Sequence, residues 1–425
     1  MYETVHSIVD DDNVLQFGSK DDPRAIDWVV VMKRFDQRDL LEERRKNGTL
    51  AIADAIRLGE VLAEFHAKAE LTPSFGGSAG IQAVVEENIS ILRATPEAFP
   101  AGLVDRYAAL SQHWLNRLRT TLDNRRSQGL VRRCHGDLHL NNICMIGGSP
   151  QPFDAVEFQD AFSCIDVAYD LAFLLMDLDF KNLRGHANAL LNRYLECSGD
   201  YSLLAPLPLL LSCRAGIRAH VTLAMQKTRS SGSGSDSRAL LEKAAIYLEP
   251  QTPVMIAIGG FSGAGKSSVA RELAPTIGAA PGAVVLRTDV IRKEMLNVPK
   301  TSKLGECAYS RKTSRAVYAR LRLLAEAALK AGHSVIADAT FGDDEERRAI
   351  ELVAAVNSVA FSGFWLTAPR AILEDRLRKR QGDASDADVR VLANQIATFS
   401  QPENWTMIEA SGQSRDIVRQ AKQHL

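Results

Sequence analysis

The run IAIGGFSGAGKSS, residues 256–268, places Gly260 and Gly265 five positions apart and follows them with Lys266 and Ser267. That spacing can build a turn whose backbone N–H groups face phosphate oxygens, with Ser262, Gly263, Ala264 and Ser268 completing the cradle. Lys266 would reach the β and γ phosphates as a point charge, and the Ser267 hydroxyl would bind a magnesium ion. A chance glycine turn is the other reading. The apolar run Val254 to Ile258 before the motif reads as a strand and the residues from Lys266 onward as a helix. A helix amino terminus aimed at the same anion favours the phosphate reading.

Further chemistry-bearing residues follow at the ends of apolar runs. VVLRTDVIRKEM carries Asp289, with Arg292 one helical turn later. In an open α/β sheet ligands lie at the carboxyl ends of strands, so Asp289 is expected beside the transferring phosphate, either as base for an acceptor hydroxyl or as a helix cap. HSVIADATF ends in Asp338 and Thr340, where a carboxylate could hold a magnesium-bound water, contact the acceptor, or cap the helix after Gly342. Arg376 and Arg380, four residues apart, fall on one helical face. They suit a lid closing on phosphate, or else a solvated helix paired with Glu374 and Asp375.

A second set sits in the other half. In CHGDLHLNNIC, Asp137 and Asn142 are five positions apart, and PFDAVEF adds Asp154 twelve residues on. An aspartate to orient or deprotonate a hydroxyl, an asparagine to bind metal and a later metal-binding aspartate form the set used in protein-kinase-like phosphoryl transfer. Each alone could be a hairpin residue; order and spacing together favour the catalytic reading.

These sets need two different scaffolds. Residues from about 250 alternate strand and helix, namely 254–258, a helix from Lys266, 283–286, helices to Ala331, 334–337, a helix from Asp344, and 359–366, which requires a parallel sheet covered by helices. Before it, Trp28 to Met32 reads as a strand, Asp39 to Ala69 as mostly helical, and Ile165 to Met225 as helices. The polar stretch TRSSGSGSDSR, residues 228–238, reads as a flexible loop, Ala239 to Leu248 as a short helix, and Pro250 and Pro253 as its end. The expected domains are 1–249 and 250–425.

A net charge of −1 gives no general attraction to nucleic acid or anionic membrane. The six cysteines form no CxxC pair and no metal spacing, which suits a reduced, cytoplasmic protein. MYETVHSIVDDDN lacks the pattern of a signal peptide, and the apolar run Leu203 to Cys213 is interrupted by Pro206 and Pro208, so no membrane span is expected.

GGFSGAGKSS, RTDVIRKEM, VIADATF and RLRKRQGDASDAD resemble the small-molecule and zeta-toxin-like P-loop kinases over nearly all of residues 254–425. The resemblance implies that Asp289 is the base and that Arg376 and Arg380 contact the nucleotide. HGDLHLNN, then Asp154, then Asp170-Leu171-Ala172, resembles the aminoglycoside phosphotransferase family, which implies a protein-kinase-like fold. FDAVEFQDAFSCIDVAYDLAFLLMDLD, then CRAGIRAHV and the P-loop, is similar to bacterial fusions of the two domains. The expected fold class is therefore α/β: an amino-terminal protein-kinase-like α+β domain, then a P-loop kinase domain.

Those phosphotransferases also use a glycine-bearing hairpin, a nucleotide-binding strand lysine and a helix glutamate, which have no evident counterpart here. Lys33 is the nearest lysine, and its strand reads better as the hinge between lobes. The small lobe is accordingly expected to be incomplete. The resemblance implies ATP and Mg2+ as cofactors, a small-molecule acceptor, and transfer chiefly by the carboxyl-terminal domain. A nucleotide-sensing regulator and a polynucleotide or nucleotide-sugar kinase are the alternatives.

Overall fold

In a computed structural model of the chain, the described residues are 2–229, 235–300, 302–379 and 384–425. The first domain opens with an antiparallel sheet of β1 (Tyr2–Asp11), β2 (Val14–Gly18) and β3 (Ala25–Met32), in the order β2-β1-β3. Only β3 is evident from composition. The β1–β2 hairpin turns on Asp12 and Asn13 with φ of 53° and 67°, the left-handed backbone of a tight hairpin made here without glycine.

Past β3 the chain forms α1 (Leu41–Lys46), α2 (Ile52–Lys68), α3 (Gly77–Arg93) and α4 (Ala101–Ser127). The motif-bearing segment is framed by β4 (Val131–Arg133), the hairpin β5 (Ile143–Ile146) and β6 (Ser149–Pro152), the short α5 (Asp160–Ser163) and β7 (Cys164–Asp166). Next come α6 (Val167–Phe180), α7 (Arg184–Ser198), α8 (Leu207–Arg229) and α9 (Ser235–Tyr247). Helix α6 is buried from Val167 through Asp179, as its near-continuous apolar sequence requires. Its three buried carboxylates are all partnered: Asp170 by His66, Asp177 by Lys181, and Asp179 by Lys243 and Tyr247.

The loop expected over residues 228–238 is corrected at both ends. Helix α8 runs through Arg229 and α9 starts at Ser235; residues 230–234 lie outside the described residues. Asp236 in the first turn of α9 favours the positive helix end, and Leu240, Leu241 and Ala244 bury its inner face. The serine-rich composition masked a helix start.

The second domain is a five-stranded parallel sheet in the order β12-β11-β8-β10-β9. Its strands and helices are β8 (Val254–Gly260), α10 (Lys266–Leu273), β9 (Val284–Arg287), α11 (Thr288–Met295), α12 (Arg311–Lys330), β10 (Val335–Asp338), α13 (Asp344–Val356), β11 (Ala360–Thr367), α14 (Arg370–Lys379), α15 (Val389–Thr398), β12 (Thr406–Glu409) and α16 (Ser414–Lys422). Asp338 is in register with both Ile258 and Arg287, so β8, β9 and β10 deliver their carboxyl ends to one rim. Strand β9, at the sheet edge, lies against α7 of the first domain. Apolar packing is continuous there, from Leu203 and Leu204 to Val284, Leu286 and Leu321. No described helix is long and apolar enough to cross a membrane, and all six cysteines are free thiols.

Candidate active site

Strand β8 enters the phosphate loop at Gly260, whose φ of 134° and close approach to β11 both require glycine. A Cβ there would lie 2.5 Å from the Leu366 carbonyl oxygen. Gly263 and Gly265 also have positive φ, and Gly265 precedes the first residue of α10. Lys266 Nζ donates to the carbonyls of Gly260 and Phe261, at 3.0 Å each. The Ser267 hydroxyl donates to Asp338 Oδ2 at 2.5 Å, and Arg287 Nε reaches the same oxygen at 3.2 Å. Asp338 therefore does not cap α13; Asp343 does, accepting from the Glu345 N–H.

Asp289 stands in the first turn of α11, whose N-cap position is occupied by Arg287. Ser262, Gly263, Gly265, Lys266, Ser267, Ser268, Asp289, Asp338 and Arg376 all line one cleft of about 980 Å³. Burial raises the Asp289 pKa, and the negative charge of Asp338 raises it further; Arg287, Ser385 and Lys266 oppose the shift. Ala264 is fully buried and supports the loop from beneath.

Arg376 lies on α14 against the phosphate loop. Its Nη1 is 3.5 Å from the Gly263 carbonyl, while Nη2 donates to the carbonyls of Ser411 and Gly412. Glu374 instead takes Arg370 and Arg378, and Asp375 takes Lys379, so the solvated pairing does not involve Arg376. Arg380 lies outside the described residues. Thr340 is a brace: its carbonyl accepts from Gly260 N and its hydroxyl meets Tyr318.

Three contributors have little or no local signature in sequence. Gln395, buried on α15, accepts the Ser262 N–H at 2.9 Å, and Phe399 stacks on Phe261 with ring centroids 6.1 Å apart. Asp386 accepts from Lys293, from Leu304 N and from the Tyr309 hydroxyl, tying the segment before α15 to the far wall. Arg287 was legible in principle, since a basic residue at the end of an apolar strand and two positions before Asp289 stands at the rim where the carboxylates collect.

Arg292 is 6% exposed, and no carboxylate pairs with it among the described residues. Its guanidinium rests on the Tyr309 ring at 4.8 Å, with Nη1 on the Ala308 carbonyl and Nε without a partner. Arg311 and Arg315, one turn apart on α12, line the same wall.

The first domain holds its own set differently. Gly136 has φ of 84°, and a Cβ there would meet the Phe162 carbonyl oxygen at 2.7 Å. The adjacent backbone is gripped by buried Asp170, which accepts from His135 N at 3.2 Å and Gly136 N at 2.8 Å. His66 bridges Asp170 to the Tyr194 hydroxyl. Burial opposes charge on Asp170, but the hydrogen bond from His66 and the charges of His66, His135 and Arg214 hold its pKa down to about 2. His66, Cys134 and Asp170 lie close enough to hold a metal, yet both imidazole nitrogens and both carboxylate oxygens are already engaged, so the group is a brace.

Asp137 accepts from Asn142 Nδ2 at 3.1 Å and faces His139 Nε2 at 3.4 Å. Burial opposes its charge too; His139, Arg218 and Arg214 outweigh it and lower the pKa. Asp154 is exposed, with φ of 61°. It follows Phe153, whose N–H donates to the Asn142 carbonyl at 3.0 Å, so the two residues read as metal ligands lie on adjoining backbone. Lys33 is exposed and just beyond the end of β3.

Comparison with known proteins agrees with this two-part build. Residues 17–207 match the phosphotransferase enzyme family, and residues 255–402 match the AAA domain. The chain is a fusion of these two domain families. Such a fusion is a kinase-type phosphotransferase. Relatives align over most of its length: the uncharacterized proteins Rv2004c of Mycobacterium tuberculosis and Mb2027c of Mycobacterium bovis are each 28% identical over 401 residues, 92% of this chain and 80% of the relative. Among solved structures, a gluconokinase from Sinorhizobium meliloti 1021 is 21% identical, covering 40% of this chain and 90% of that one with a TM-score of 0.28. The Mycobacterium tuberculosis APS kinase CysC, in complex with AMPPNP and APS, is 23% identical over 41% of this chain and 95% of that one, with a TM-score of 0.30.

Proposed function

We propose that the fusion is an ATP- and magnesium-dependent kinase that transfers the γ-phosphate to a hydroxyl of a small molecule, and that it does so at the cleft of the second domain. The observation that carries this reading is the side-by-side placement of Ser267 and Asp338 at 2.5 Å, in the cleft that Lys266 and Asp289 also line. A hydroxyl and a carboxylate so close form a hard oxygen donor pair of the kind that suits magnesium. When bound, the ion would neutralise charge on the β and γ phosphates. Lys266 exchanges its two loop carbonyls for phosphate oxygens, the loop N–H groups hold the bridging region, and Arg376 closes on the nucleotide from α14. Asp289, its pKa raised, receives the acceptor proton as the new P–O bond forms and ADP leaves.

Arg292, Arg311 and Arg315 favour an acceptor that carries negative charge as well as its hydroxyl. A buried guanidinium without a carboxylate is costly, and an anionic ligand group removes that cost. The first domain, with its acceptor-side set but no recognised lysine clamp, is proposed to contribute little transfer. The test is ADP release by the purified full chain with MgATP and a panel of alcohols, in matched neutral and phosphate- or carboxylate-bearing forms. The expected result is acceptor-stimulated release confined to anionic members. Stimulation by neutral members alone refutes the charge assignment, and no stimulated release with any acceptor counts against the kinase reading.

A further inference from the structure

Strand β9 is one of the two edge strands of the sheet, and an edge strand leaves a row of backbone groups needing partners. For Val285, and for Ala283 just before the strand, those partners come from the other domain. Val285 N donates to Asn192 Oδ1 of α7 at 2.7 Å, and Asn192 Nδ2 reaches the Ala283 carbonyl at 3.2 Å. Asn188, one turn earlier and 2% exposed, donates to the same carbonyl at 3.0 Å. The Asn192 amide is itself aimed by further bonds from Nδ2 to the Asn188 carbonyl and Oδ1. A side-chain amide thus takes the place of a neighbouring strand.

Two residues beyond Val285 comes Arg287, on the same face of the strand. Arg287 is 5% exposed and donates to Asp338, which in turn holds Ser267. Asp289 follows at once on α11. We propose that Asn192 of the first domain is a positioning residue for the phosphate site of the second. By accepting from Val285 it fixes the height of β9, and so holds Arg287 against Asp338 and sets Asp289 at the cleft wall. The inference rests on the proposed function, in that it takes this cleft to be where nucleotide and magnesium bind.

Asn192 is suited to this task because the domains are docked by other contacts that do not run through β9. Arg184 donates to the Gly278 carbonyl, Lys300 pairs with Glu196, and buried His333 donates to the Leu204 carbonyl. Removing Asn192 therefore leaves the domains joined and Val285 N without its acceptor. Removing Arg184 weakens docking and leaves β9 untouched. The two substitutions separate positioning from attachment.

The experiment compares full-length wild type, Asn192→Leu and Arg184→Ala. The readouts are affinity for a fluorescent ATP analogue with magnesium and with EDTA, kcat and KM for transfer, and thermal stability. Asn192→Leu should weaken magnesium-dependent nucleotide affinity and lower kcat, each on the order of fivefold, with affinity in EDTA little changed. Arg184→Ala should lower only the melting temperature. Wild-type magnesium dependence in Asn192→Leu overturns the inference, as does an equal loss in Arg184→Ala, which would make the effect one of docking. If wild type itself fails to bind the analogue with magnesium, the proposed function falls and this inference with it; wild-type binding with unchanged Asn192→Leu refutes the inference alone.

Discussion

The catalytic-type loop around Asp137 and the phosphate loop around Lys266 handle charge in opposite ways. The first is preassembled from carboxylates: Asp170, fully buried, pins the backbone at His135 and Gly136, and Asn142 and His139 aim Asp137. The second is preassembled from cations and glycine geometry, with Lys266, Arg376 and Arg287 around a turn that the Leu366 carbonyl keeps free of side chains. Phosphoryl transfer depends on gripping the nucleotide as well as orienting the acceptor. On the proposed function, the grip belongs to the second site, while the first offers a rigid carboxylate set without a recognised grip.

The sharpest way to break that contrast is to remove the grip. Lys266→Ala should reduce ATP turnover by roughly 10²–10³-fold, the range seen when one preorganised charge-stabilising donor is lost. Its melting temperature should stay close to wild type, because the Lys266 amine bonds to loop carbonyls rather than filling a core. Steady-state ADP release together with thermal unfolding checks both halves of the expectation.

Removing the brace of the other site should show up as stability instead. Asp170→Ala leaves His66 and two backbone N–H groups buried without their acceptor, which costs about 3–5 kcal/mol. Denaturant unfolding of the full chain should show a transition weakened by that amount. The sign with pH follows from its lowered pKa: the contribution is present above the ordinary aspartate value of 3.8 and is lost as pH falls toward about 2. A variant as stable as wild type at neutral pH would mean that the first domain does not depend on this carboxylate.

Asp289 distinguishes base from bystander. Asp289→Asn preserves size and should slow transfer by roughly 10²-fold while nucleotide affinity persists. Because burial and Asp338 raise its pKa, the wild-type rate should fall on the acid side at a pH above 3.8, and Asp289→Asn should lack that limb. Unchanged transfer would point instead to Asp338.

Residue order made much of this visible, for physical reasons. A strand, a glycine-rich turn and a helix are local features, so the environment of Gly260 to Ser268 could be read from thirteen letters, and the stretch from Ile165 to Met225 could be read as helices. What was hidden depends on contacts distant in sequence. Gln395 lies more than a hundred positions from the Ser262 N–H it accepts, and nothing in VLANQIATF marks it. The same holds for Asn192 of α7, which accepts from Val285 on β9. The β1–β2 hairpin escaped because Asp12 and Asn13 adopt the left-handed backbone usually signalled by glycine, and the helix start at Ser235 because serine and aspartate suit loops and helix entrances alike.

The smallest expected effect is the one that decides what the first domain is for. Asp137→Ala combined with Asp154→Ala removes the carboxylate read as acceptor-orienting and one of the two residues read as metal ligands, while Asp170 and its backbone bonds remain. Asp154 is exposed and Asp137 only partly buried, so the double variant should fold normally. Lys33, the first suspect for a nucleotide lysine, is exposed beyond β3. If the second domain carries the chemistry, turnover in the double variant should stay within about twofold of wild type, the scatter typical of surface substitutions. Repeating the measurement in Lys266→Ala supplies the contrast. Turnover that survives Lys266→Ala and disappears with the two aspartates would reverse the assignment, make the first domain the enzyme, and direct attention to Lys33 as the missing half of its grip.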